Sequence, residues 1–454
     1  MNIKYNSKKI QKGDTFIALK TNNDGHKYIN DAIKNGATKV VAEYGNYPVE
    51  TLLVDNTKEY LVKYLYENYY QEIKDLKLIG ITGTNGKTTT CMLLHNMLNM
   101  LGRKTAYIGT NGFYINKFIK ELPNTTPEIL DIYELLIEAK KEGCEFVCIE
   151  ASSHGLAQNR LEGLKFDYAI FTNLTHEHLG YHKTMKNYAL AKQKLFTMLR
   201  NNKYAIINND DNYKDYFILK ENNNITYSLN NGDYYVKEYK ITTQNNTFTV
   251  VNNNKEYTFT TKLLGKHNIY NSLASIIVLN KIGYSFEEIN NVLTIVSGPK
   301  GRMENISYNN NNIIIDYAHT PDGIANVLNT AKELHPNKII TIVGCGGGTG
   351  SDRTKRSEMG NLVLSLSDKT IFTNDNPRDE DPNQIINDLL KEKINNNYII
   401  ELDRKKAINK GINMLTNNDI LLILGKGHEN YQIIGNNKNH FNDKETVLEI
   451  TKEK

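Results

Sequence analysis

The segment Gly80-Ile81-Thr82-Gly83-Thr84-Asn85-Gly86-Lys87-Thr88-Thr89 decides the fold of this chain. An apolar run at 76–81 leads into it, and a helical pattern of apolar residues follows at 92–101. A glycine turn between a strand and a helix N-terminus presents backbone N–H groups and a partial positive charge, which favour bound phosphate. Lys87 would reach the outer phosphates, and Thr88 would ligate magnesium. The segment therefore predicts a nucleoside triphosphate site in an α/β protein.

This phosphate loop is a variant of the common one. The usual spacing places a glycine at position 81, where this chain has Ile81, and the glycine stands instead at Gly83. The alternative is a glycine-rich turn with an exposed lysine. The strand before the turn and the helix after it favour the phosphate loop.

The chain of 454 residues is long enough for about three domains. We expect a small α/β domain at 1–76, a central P-loop domain with a parallel sheet and a β insertion at 77–297, and a Rossmann-like α/β domain at 298–454. Continuous apolar strands alternating with helices predict parallel sheets, with functional groups at their carboxyl ends. The expected strands are 146–150, 168–172, 204–208, 313–316, 339–343, 370–372 and 420–424, and the β insertion is 225–262.

Bulk properties exclude several classes of protein. The net charge of +4 and the lack of a dense basic run do not indicate a nucleic-acid partner. The cysteines Cys91, Cys144, Cys148 and Cys345 do not form a zinc-like pair, and a disulfide framework is not expected at this size. Without a signal peptide or an apolar run of roughly 20 residues, we expect a cytoplasmic protein with no membrane partner.

A carboxylate and several histidines follow the central strands. Glu150 closes the strand at 146–150, where P-loop proteins commonly hold magnesium opposite the loop hydroxyl; the alternative is a helix-capping carboxylate. His176, His178 and His182 follow the next strand. Zinc is disfavoured because no second group of Cys or His ligands completes a site, and one imidazole assisting a second hard cation is favoured. Lys192 shares a helix face with Tyr188 and, by itself, would be taken as a surface lysine.

Polar loops also follow the strands of the third domain. They lie at 316–321, 344–350, 374–378 and 425–429, and the cationic segment at 352–356 follows the second of them. Arginines suit the carboxylate of an amino-acid ligand, and a glutamate suits its ammonium group. The joint placement of these loops favours an amino-acid site over a set of unrelated turns.

Taken together, these residues resemble the Mur ligases, and within them the enzymes that add a diamino acid as the third residue. The resemblance runs over nearly the whole chain. It rests on Gly83-Thr-Asn-Gly-Lys87-Thr-Thr, Asn124-Thr125-Thr126-Pro127, Glu150-Ala-Ser-Ser-His-Gly-Leu, Gly301-Arg302-Met-Glu304, Asp316-Tyr-Ala-His-Thr-Pro, Asp375-Asn-Pro-Arg378 and Gly425-Lys-Gly-His-Glu429.

The resemblance implies ATP-dependent amide ligation in peptidoglycan synthesis, by a monomer. ATP would phosphorylate the D-glutamate carboxylate of UDP-MurNAc-L-Ala-D-Glu, and the amine of a diamino acid would attack the acyl phosphate. The implied metal sites hold two Mg²⁺ ions through Thr88, Glu150, His178 and a Lys192 carbamylated by CO₂. Lys87, Glu150, His178 and Lys192 would form the catalytic group. The implied ATP contacts are Gly83, Thr84, Asn85, Gly86, Lys87, Thr88, Thr89, His267, Asn268, Asn271, Arg302, Asp316 and His319.

The same resemblance implies sites for the other two substrates. The N-terminal domain would bind the uridine end of the acceptor. The UDP-MurNAc-peptide contacts would be Ser7, Thr125, Thr126, Ser153, Gln158 and Arg160, and the amino-acid contacts would be Arg356, Asp375, Asn376, Arg378, Gly425 and Glu429. The Asp-Asn-Pro-Arg form resembles the meso-diaminopimelate type, since Arg378 can grip a distal carboxylate that lysine lacks.

Some positions differ from the family pattern, and other functions remain open. Glu177-His178-Leu179-Gly180 stands where the family usually has Asp-His-Leu-Asp, and Gly348-Thr349-Gly350 lengthens the cationic loop. The alternatives are a ligase for L-lysine, lanthionine or another acceptor, a ligase like folylpolyglutamate synthase or cyanophycin synthetase, and a non-catalytic nucleotide-binding regulator. The N-terminal domain and the segment at 375–378 argue against the second alternative, and the intact catalytic group argues against the third.

Overall fold

A computed structural model describes residues 1–20, 23–348 and 353–452 of the chain. Within these residues it forms three larger sheets, one in each of the expected parts of the chain, and one small hairpin. We call these parts the N-terminal, central and C-terminal lobes, and we keep the boundaries at 76/77 and 297/298 as a proposal. The expected α/β class with parallel sheets in several lobes is confirmed.

The N-terminal lobe is a small parallel sheet with two helices. The sheet has the order β1-β2-β3-β4, and each pair of neighbours is parallel. Asn56 begins the long second helix because its side chain accepts hydrogen bonds from the Lys58 and Glu59 amides. The elements are β1 (Ile3–Lys4), β2 (Thr15–Ile17), α1 (Ile29–Lys34), β3 (Lys39–Ala42), β4 (Glu50–Leu53) and α2 (Thr57–Ile73).

The central lobe contains the largest sheet. Its order is β15-β14-β13-β12-β11-β10-β5-β9-β6-β7-β8 among the described residues. The elements are β5 (Lys77–Thr82), α3 (Lys87–Met100), β6 (Thr105–Gly109), β7 (Gly112–Ile115), β8 (Lys117–Lys120), α4 (Ile129–Lys141), β9 (Phe146–Glu150), α5 (Ser153–Ala157), β10 (Phe166–Phe171), α6 (Leu179–His182), α7 (Met185–Thr197), β11 (Leu199–Asn208), β12 (Asn223–Ser228), β13 (Tyr234–Ile241), β14 (Asn246–Asn252), β15 (Lys255–Thr261), α8 (Lys266–Ile282) and α9 (Phe286–Leu293).

The structure shows how the expected β insertion joins the central sheet. The strands from β12 to β15 continue the central sheet itself: β12 pairs with β11 in parallel, and only β13, β14 and β15 turn antiparallel to one another. The opposite edge is antiparallel as well, through β6, β7 and β8. The parallel run therefore forms the middle of the sheet, and β5, which leads into the phosphate loop, lies between β9 and β10.

The C-terminal lobe has a six-stranded sheet, of order β16-β17-β21-β18-β19-β20 within the described residues. Only β16 and β17 pair antiparallel in this sheet. The elements are β16 (Glu304–Tyr308), β17 (Asn311–Asp316), α10 (Pro321–Glu333), β18 (Ile339–Val343), α11 (Arg356–Leu366), β19 (Lys369–Phe372), α12 (Pro382–Leu389), β20 (Tyr398–Ile400), α13 (Arg404–Asn413), β21 (Ile420–Leu424), β22 (Tyr431–Ile434), β23 (Asn437–His440) and α14 (Asp443–Lys452).

The hydrophobic core joins the first two lobes. Leu61 and Leu65 of α2 belong to the same buried cluster as Ile129 and Leu136 of α4, so the N-terminal lobe packs directly on the central one. The four cysteines are free and buried, as expected of small apolar side chains. No helix of the described residues is long and apolar enough to cross a membrane.

Candidate active site

The phosphate loop is shaped by close backbone approach. The loop runs between β5 and α3, and Gly86 precedes the helix with φ of 86°, a left-handed conformation that favours glycine. The Thr172 hydroxyl, which follows β10, donates to the Asn85 carbonyl at 2.6 Å. A Cβ atom on Gly83 would lie 1.9 Å from that hydroxyl oxygen. The glycine at 83 is therefore required by the neighbouring strand end.

Lys87 folds back over the loop that it follows. Its Nζ atom donates to the Gly83 and Thr84 carbonyl oxygens, each at 2.8 Å. Burial lowers the pKa of this amine, while the carboxylates of Glu177 and Glu150 oppose that shift. The lysine thus lies within the loop that would enclose the phosphates.

Glu150 is aimed at the first residues of α3. It is fully buried at the end of β9, and its Oε2 atom accepts from the Thr88 hydroxyl at 2.9 Å. Its Oε1 atom accepts from the Thr110 amide at 3.0 Å and from the Tyr107 hydroxyl. Ser152, rather than Glu150, caps the next helix. The helix-cap alternative is therefore wrong, and the carboxylate faces the predicted magnesium-binding hydroxyl.

Lys192 lies in the interior rather than on the surface. Lys192 is 1 % exposed, and its Nζ atom donates to the Gly83 carbonyl at 2.6 Å. The Nζ atom also lies 4.6 Å from the centre of the Tyr188 ring, one helical turn earlier on α7. Burial, followed by the nearby Lys87 ammonium, lowers the pKa of Lys192 well below its ordinary value. The uncharged form of the amine is therefore favoured relative to a lysine in water.

His178 belongs to a group of imidazoles at the mouth of the site. Its backbone is left-handed, with φ of 57°, and its Nε2 atom lies 3.6 Å from the Glu177 carboxylate. The His154 ring centre lies 4.8 Å away, and His154 also contacts the His182 ring. Burial lowers the pKa of His178, so the neutral imidazole offers a lone pair.

A cavity of about 730 Å³ brings most of the predicted nucleotide and metal residues together. We call it the larger cavity. The predicted residues that line it are Thr84, Asn85, Gly86, Lys87, Thr88, Thr89, Thr125, Glu150, Ser153, His178, Lys192, His267, Asn268, Asn271, Arg302, Asp316 and His319. Gly83 is not among the residues that line it. Residues of the C-terminal lobe complete the cavity, which neither lobe encloses alone.

The predicted acceptor-binding residues separate into two groups. Thr125 and Ser153 line the larger cavity. Arg160 instead lies behind it, 8 % exposed, where it donates to the Thr126 carbonyl at 2.8 Å and pairs with Glu128 at 2.9 Å. Thr126, Arg160 and Gln158, which accepts from the Arg160 Nη2 atom at 2.6 Å, form a supporting network. Ser7 lies in the N-terminal lobe, outside the cavity.

A smaller cavity of about 220 Å³ lies between the loops of the C-terminal lobe. Its lining includes five of the six predicted amino-acid contacts, namely Asp375, Asn376, Arg378, Gly425 and Glu429. The other lining residues are Tyr317, His319, Cys345, Gly346 and Lys355. Tyr317 and His319 line the larger cavity as well, so the two cavities meet at these side chains.

The polar groups of the smaller cavity are fixed by their neighbours. Asn376 Nδ2 donates to Glu429 Oε2 at 2.9 Å, and the fully buried Lys426 ammonium donates to the same oxygen at 2.8 Å. Arg378 Nη1 donates to the Gly347 carbonyl at 2.8 Å. Burial raises the pKa of Asp375, a shift that nearby cations oppose. The cavity thus presents both carboxylate and guanidinium groups.

Arg356 departs from the prediction. Its guanidinium lies outside the smaller cavity and is 1 % exposed, with Glu380 and Asp388 each 2.8 Å from its Nη1 atom. Its Nη2 atom donates to Glu380 and to the Gly346 carbonyl. The side chain therefore supports the loop at 346–348 and does not face an amino acid. Thr349 and Gly350 of the lengthened loop lie outside the described residues.

Several site residues escaped the sequence analysis. Tyr107 and Thr110 hold Glu150, and their signal is that Tyr107 lies within β6 and Thr110 directly follows it, where β6 is the parallel neighbour of β9. Asp322 accepts from the Asn85 side chain at 2.6 Å, which joins α10 to the phosphate loop. Asp322 directly follows the Asp316-Tyr-Ala-His-Thr-Pro321 segment, in the first turn of α10, and the sequence gave no hint of this contact because Asn85 lies in another lobe. In the parts of the chain that the structure describes, no three His, Cys, Asp or Glu side chains converge as a metal site.

Comparison with known proteins adds independent findings. The family model of the Mur ligase middle domain matches residues 81–279, and that of the Mur ligase, glutamate ligase domain matches 301–427. The UDP-N-acetylmuramoyl-L-alanyl-D-glutamate–2,6-diaminopimelate ligase of Fusobacterium nucleatum is 41 % identical, over 98 % of this chain and 92 % of its own. The enzyme of the same name from Aquifex aeolicus is 40 % identical, over 99 % and 93 %.

The solved structures agree with the sequence comparisons. A structure of a UDP-N-acetylmuramoyl-L-alanyl-D-glutamate–2,6-diaminopimelate ligase aligns with a TM-score of 0.73 at 32 % identity, over 99 % of this chain and 94 % of that chain. The MurF ligase of Thermotoga maritima, solved in complex with ADP, aligns with a TM-score of 0.69 at 19 % identity, over 99 % and 97 %, and shares the fold.

Proposed function

The chain belongs to the Mur ligase family, and we propose that it is the member that uses ATP to join meso-2,6-diaminopimelate to UDP-MurNAc-L-Ala-D-Glu. One observation carries this proposal beyond family membership. The larger cavity, with its phosphate loop, shares the lining residues Tyr317 and His319 with a smaller cavity that presents Glu429 and Arg378. Amide ligation needs this arrangement, because an activated carboxylate and an amine must meet without water.

The first step transfers the γ-phosphoryl group of ATP to the D-glutamate carboxylate. A carboxylate is a poor electrophile, and phosphorylation supplies it with a leaving group. Lys87 would move from the loop carbonyls to the outer phosphates, where it neutralises charge in the transition state. The amides of the phosphate loop and of the N-terminus of α3 would hold the remaining phosphate oxygens.

The donor set of the larger cavity fits magnesium. The Thr88 hydroxyl and the Glu150 carboxylate lie 2.9 Å apart, and both are the hard oxygen ligands that Mg²⁺ prefers when phosphate oxygens complete its shell. His178 lines the same cavity and offers a neutral imidazole for the second ion. Bound Mg²⁺ would supply Lewis-acid stabilisation of the phosphoryl group during transfer.

Lys192 suits the carbamylation that the family resemblance implies. Addition of CO₂ requires an amine with a free lone pair, and the lowered pKa of Lys192 favours that form of the amine. The carbamate would place an anionic oxygen group beside Lys87, whose charge disfavours the ammonium form of Lys192. This supports Lys192 as the source of the second anionic ligand.

The smaller cavity suits a diamino acid with a second carboxylate. Glu429 would accept an ammonium group, with Asn376 and Lys426 fixing its orientation. Arg378 would grip the distal carboxylate of diaminopimelate in place of the Gly347 carbonyl. A site with such a partner rejects lysine, because its guanidinium would then lack an anion.

Purified protein tests the proposal directly. We expect ADP release only when UDP-MurNAc-L-Ala-D-Glu and a diamino acid are both present, and meso-diaminopimelate to be preferred over L-lysine and lanthionine. Absence of ADP release with this acceptor would overturn the ligase assignment, and equal use of lysine would overturn the choice of amino acid. We further propose a cytoplasmic monomer, which size-exclusion chromatography with light scattering checks for the oligomeric state.

A further inference from the structure

His319 lies where the two cavities meet. With Tyr317, it is one of two residues that line both the larger and the smaller cavity among the described residues. It therefore faces the space in which an amine held in the smaller cavity would approach an acyl phosphate held in the larger one. A side chain at this junction can contact the attacking group, whereas the phosphate loop and Glu429 each lie on one side only.

The hydrogen bonds of His319 determine its tautomer. Its Nδ1 atom lies 2.9 Å from the Tyr317 carbonyl oxygen, which can only accept, so Nδ1 carries the hydrogen. In the neutral ring, Nε2 then carries the lone pair. The Lys355 ammonium donates to the His319 backbone carbonyl at 3.0 Å and fixes the main chain of the same residue. The imidazole is thus held with a basic nitrogen at its outer edge.

The charges around His319 favour the neutral ring. Burial of the imidazole among surrounding protein atoms lowers its pKa below the ordinary value, although the residue also faces the two cavities. The hydrogen bond to the Tyr317 carbonyl opposes this shift, the cations of Lys355 and Arg302 reinforce it, and the carboxylate of Glu177 opposes it. The Tyr317 ring packs against the imidazole, with 4.7 Å between the ring centres. At neutral pH the ring is therefore able to accept a proton.

We propose that His319 is the general base that deprotonates the incoming amine. This inference rests on the proposed function. The ammonium group gives one proton to Nε2 of His319, which leaves an amine with a free electron pair. That pair forms the C–N bond with the acyl carbon, and the carbonyl electrons move to oxygen. When they return, the C–O bond to phosphate breaks, phosphate leaves, and the nitrogen loses its second proton to water.

The test compares two nucleophiles on the variant His319→Gln. We expect diamino-acid ligation at neutral pH to fall roughly 10²- to 10⁴-fold, the usual contribution of a general base. Hydroxylamine is already uncharged at neutral pH and needs no base. Hydroxamate formation from ATP and UDP-MurNAc-L-Ala-D-Glu should therefore fall far less in this variant than diamino-acid ligation does. His440→Gln, an exposed histidine paired with Glu445, is the matched control and should change neither rate.

The pH profile gives a second readout. In the unaltered protein, kcat/KM should fall as the pH drops through the pKa of His319, because the protonated ring cannot accept a proton. In His319→Gln, ligation should instead rise with pH, in proportion to the unprotonated share of the diamino acid. If the role of His319 were merely structural, the variant would lower the reaction rates with both nucleophiles equally and would leave the pH profile unchanged.

The outcomes separate the two proposals. Loss of hydroxamate formation in His319→Gln would overturn the inference and assign His319 to ATP, as the family resemblance implies. Retention of diamino-acid ligation in this variant would overturn it as well. Failure of the unaltered protein to form any hydroxamate would overturn the ligase assignment itself.

Discussion

Lys192 illustrates how one residue changes meaning when its surroundings are known. On an isolated helix it would be a solvated lysine, yet its amine lies in the interior against the Gly83 carbonyl. Burying a lysine costs free energy unless the amine becomes uncharged. A position that accepts this cost beside the phosphate loop is one where chemistry, rather than stability, explains the residue.

We expect Lys192→Ala to lower the rate of ligation by more than about 100-fold. Loss of a group that only supports a metal ligand has a smaller effect, of at most about 100-fold. Added formate or acetate should restore part of the activity, because a small carboxylate can occupy the space of the carbamate. Steady-state ADP release with and without the acid measures both effects. Lys186→Ala, an exposed lysine of the same helix, is the control. Full activity of Lys192→Ala would remove the carbamate hypothesis.

Under the proposed function, Arg378 is the residue on which the choice of amino acid would depend. We expect Arg378→Ala to weaken the use of diaminopimelate by about 1.5–3 kcal/mol in kcat/KM, because the distal carboxylate would lose a hydrogen bond from a charged group. Competition assays with diaminopimelate and lysine measure the change. Arg103→Ala removes an arginine that pairs with Glu145 on the surface. This control should leave the use of both substrates unchanged. An equal loss for lysine and diaminopimelate would contradict the specificity assigned to Arg378.

At the scale of elements, a buried ion pair fixes the last helix. Arg404 of α13 pairs with Asp443 of α14, and both side chains are 0 % exposed. The Arg404 guanidinium also donates to the carbonyls of Leu424 and Asn374, which end or follow the strands that lead to the smaller cavity. The pair therefore joins two helices to the strand ends that lead to the smaller cavity.

We expect Asp443→Asn to lower the free energy of unfolding by about 3–5 kcal/mol, because it leaves a buried guanidinium charge uncompensated. Urea denaturation followed by circular dichroism measures this change. The adjacent pair of Lys405 and Glu449 has the same 2.7 Å separation but is exposed. Glu449→Gln should therefore cost less than about 1 kcal/mol. Similar losses of unfolding free energy in the two variants would contradict the role assigned to burial.

At the scale of the whole molecule, the active site is assembled from separate lobes. Asp322, in the first turn of α10, accepts from the Asn85 side chain at 2.6 Å and from the Thr175 hydroxyl at 3.2 Å. These contacts hold the C-terminal lobe against the phosphate loop. They would also help to exclude water from an acyl phosphate while the lobes are closed.

Asp322→Ala should therefore slow the reaction without unfolding the protein. A hydrogen bond to a charged group contributes about 1.5–3 kcal/mol, so we expect kcat to fall roughly tenfold or more. Stopped-flow measurement of ADP release, with ATP binding measured separately by calorimetry, tests this. Glu358→Ala, an exposed acidic residue in the first turn of α11, is the matched control. An unchanged kcat would show that this contact does not contribute to closure.

Local patterns predicted much of this protein correctly. The strands at 146–150, 339–343 and 420–424 have the predicted bounds, because each is a continuous apolar run within a parallel sheet. The segment at 225–262 was predicted as a β insertion of short strands, and its alternating pattern does not reveal which strand it will pair with. Its first strand in fact pairs with β11, through contacts that the pattern alone does not specify.

The sequence by itself determined the phosphate loop, the α/β class and the family, because each depends on short-range spacing or on motifs. Tertiary structure alone decided which cations face a ligand. Arg356 and Arg378 look alike along the chain, but Glu380 and Asp388 neutralise the first and the smaller cavity opens beside the second. It likewise decided that Lys192 is buried and that His319 lies at the junction of two cavities. The physical reason is that burial and charge pairing arise from residues far apart in the chain, which meet only when the lobes pack.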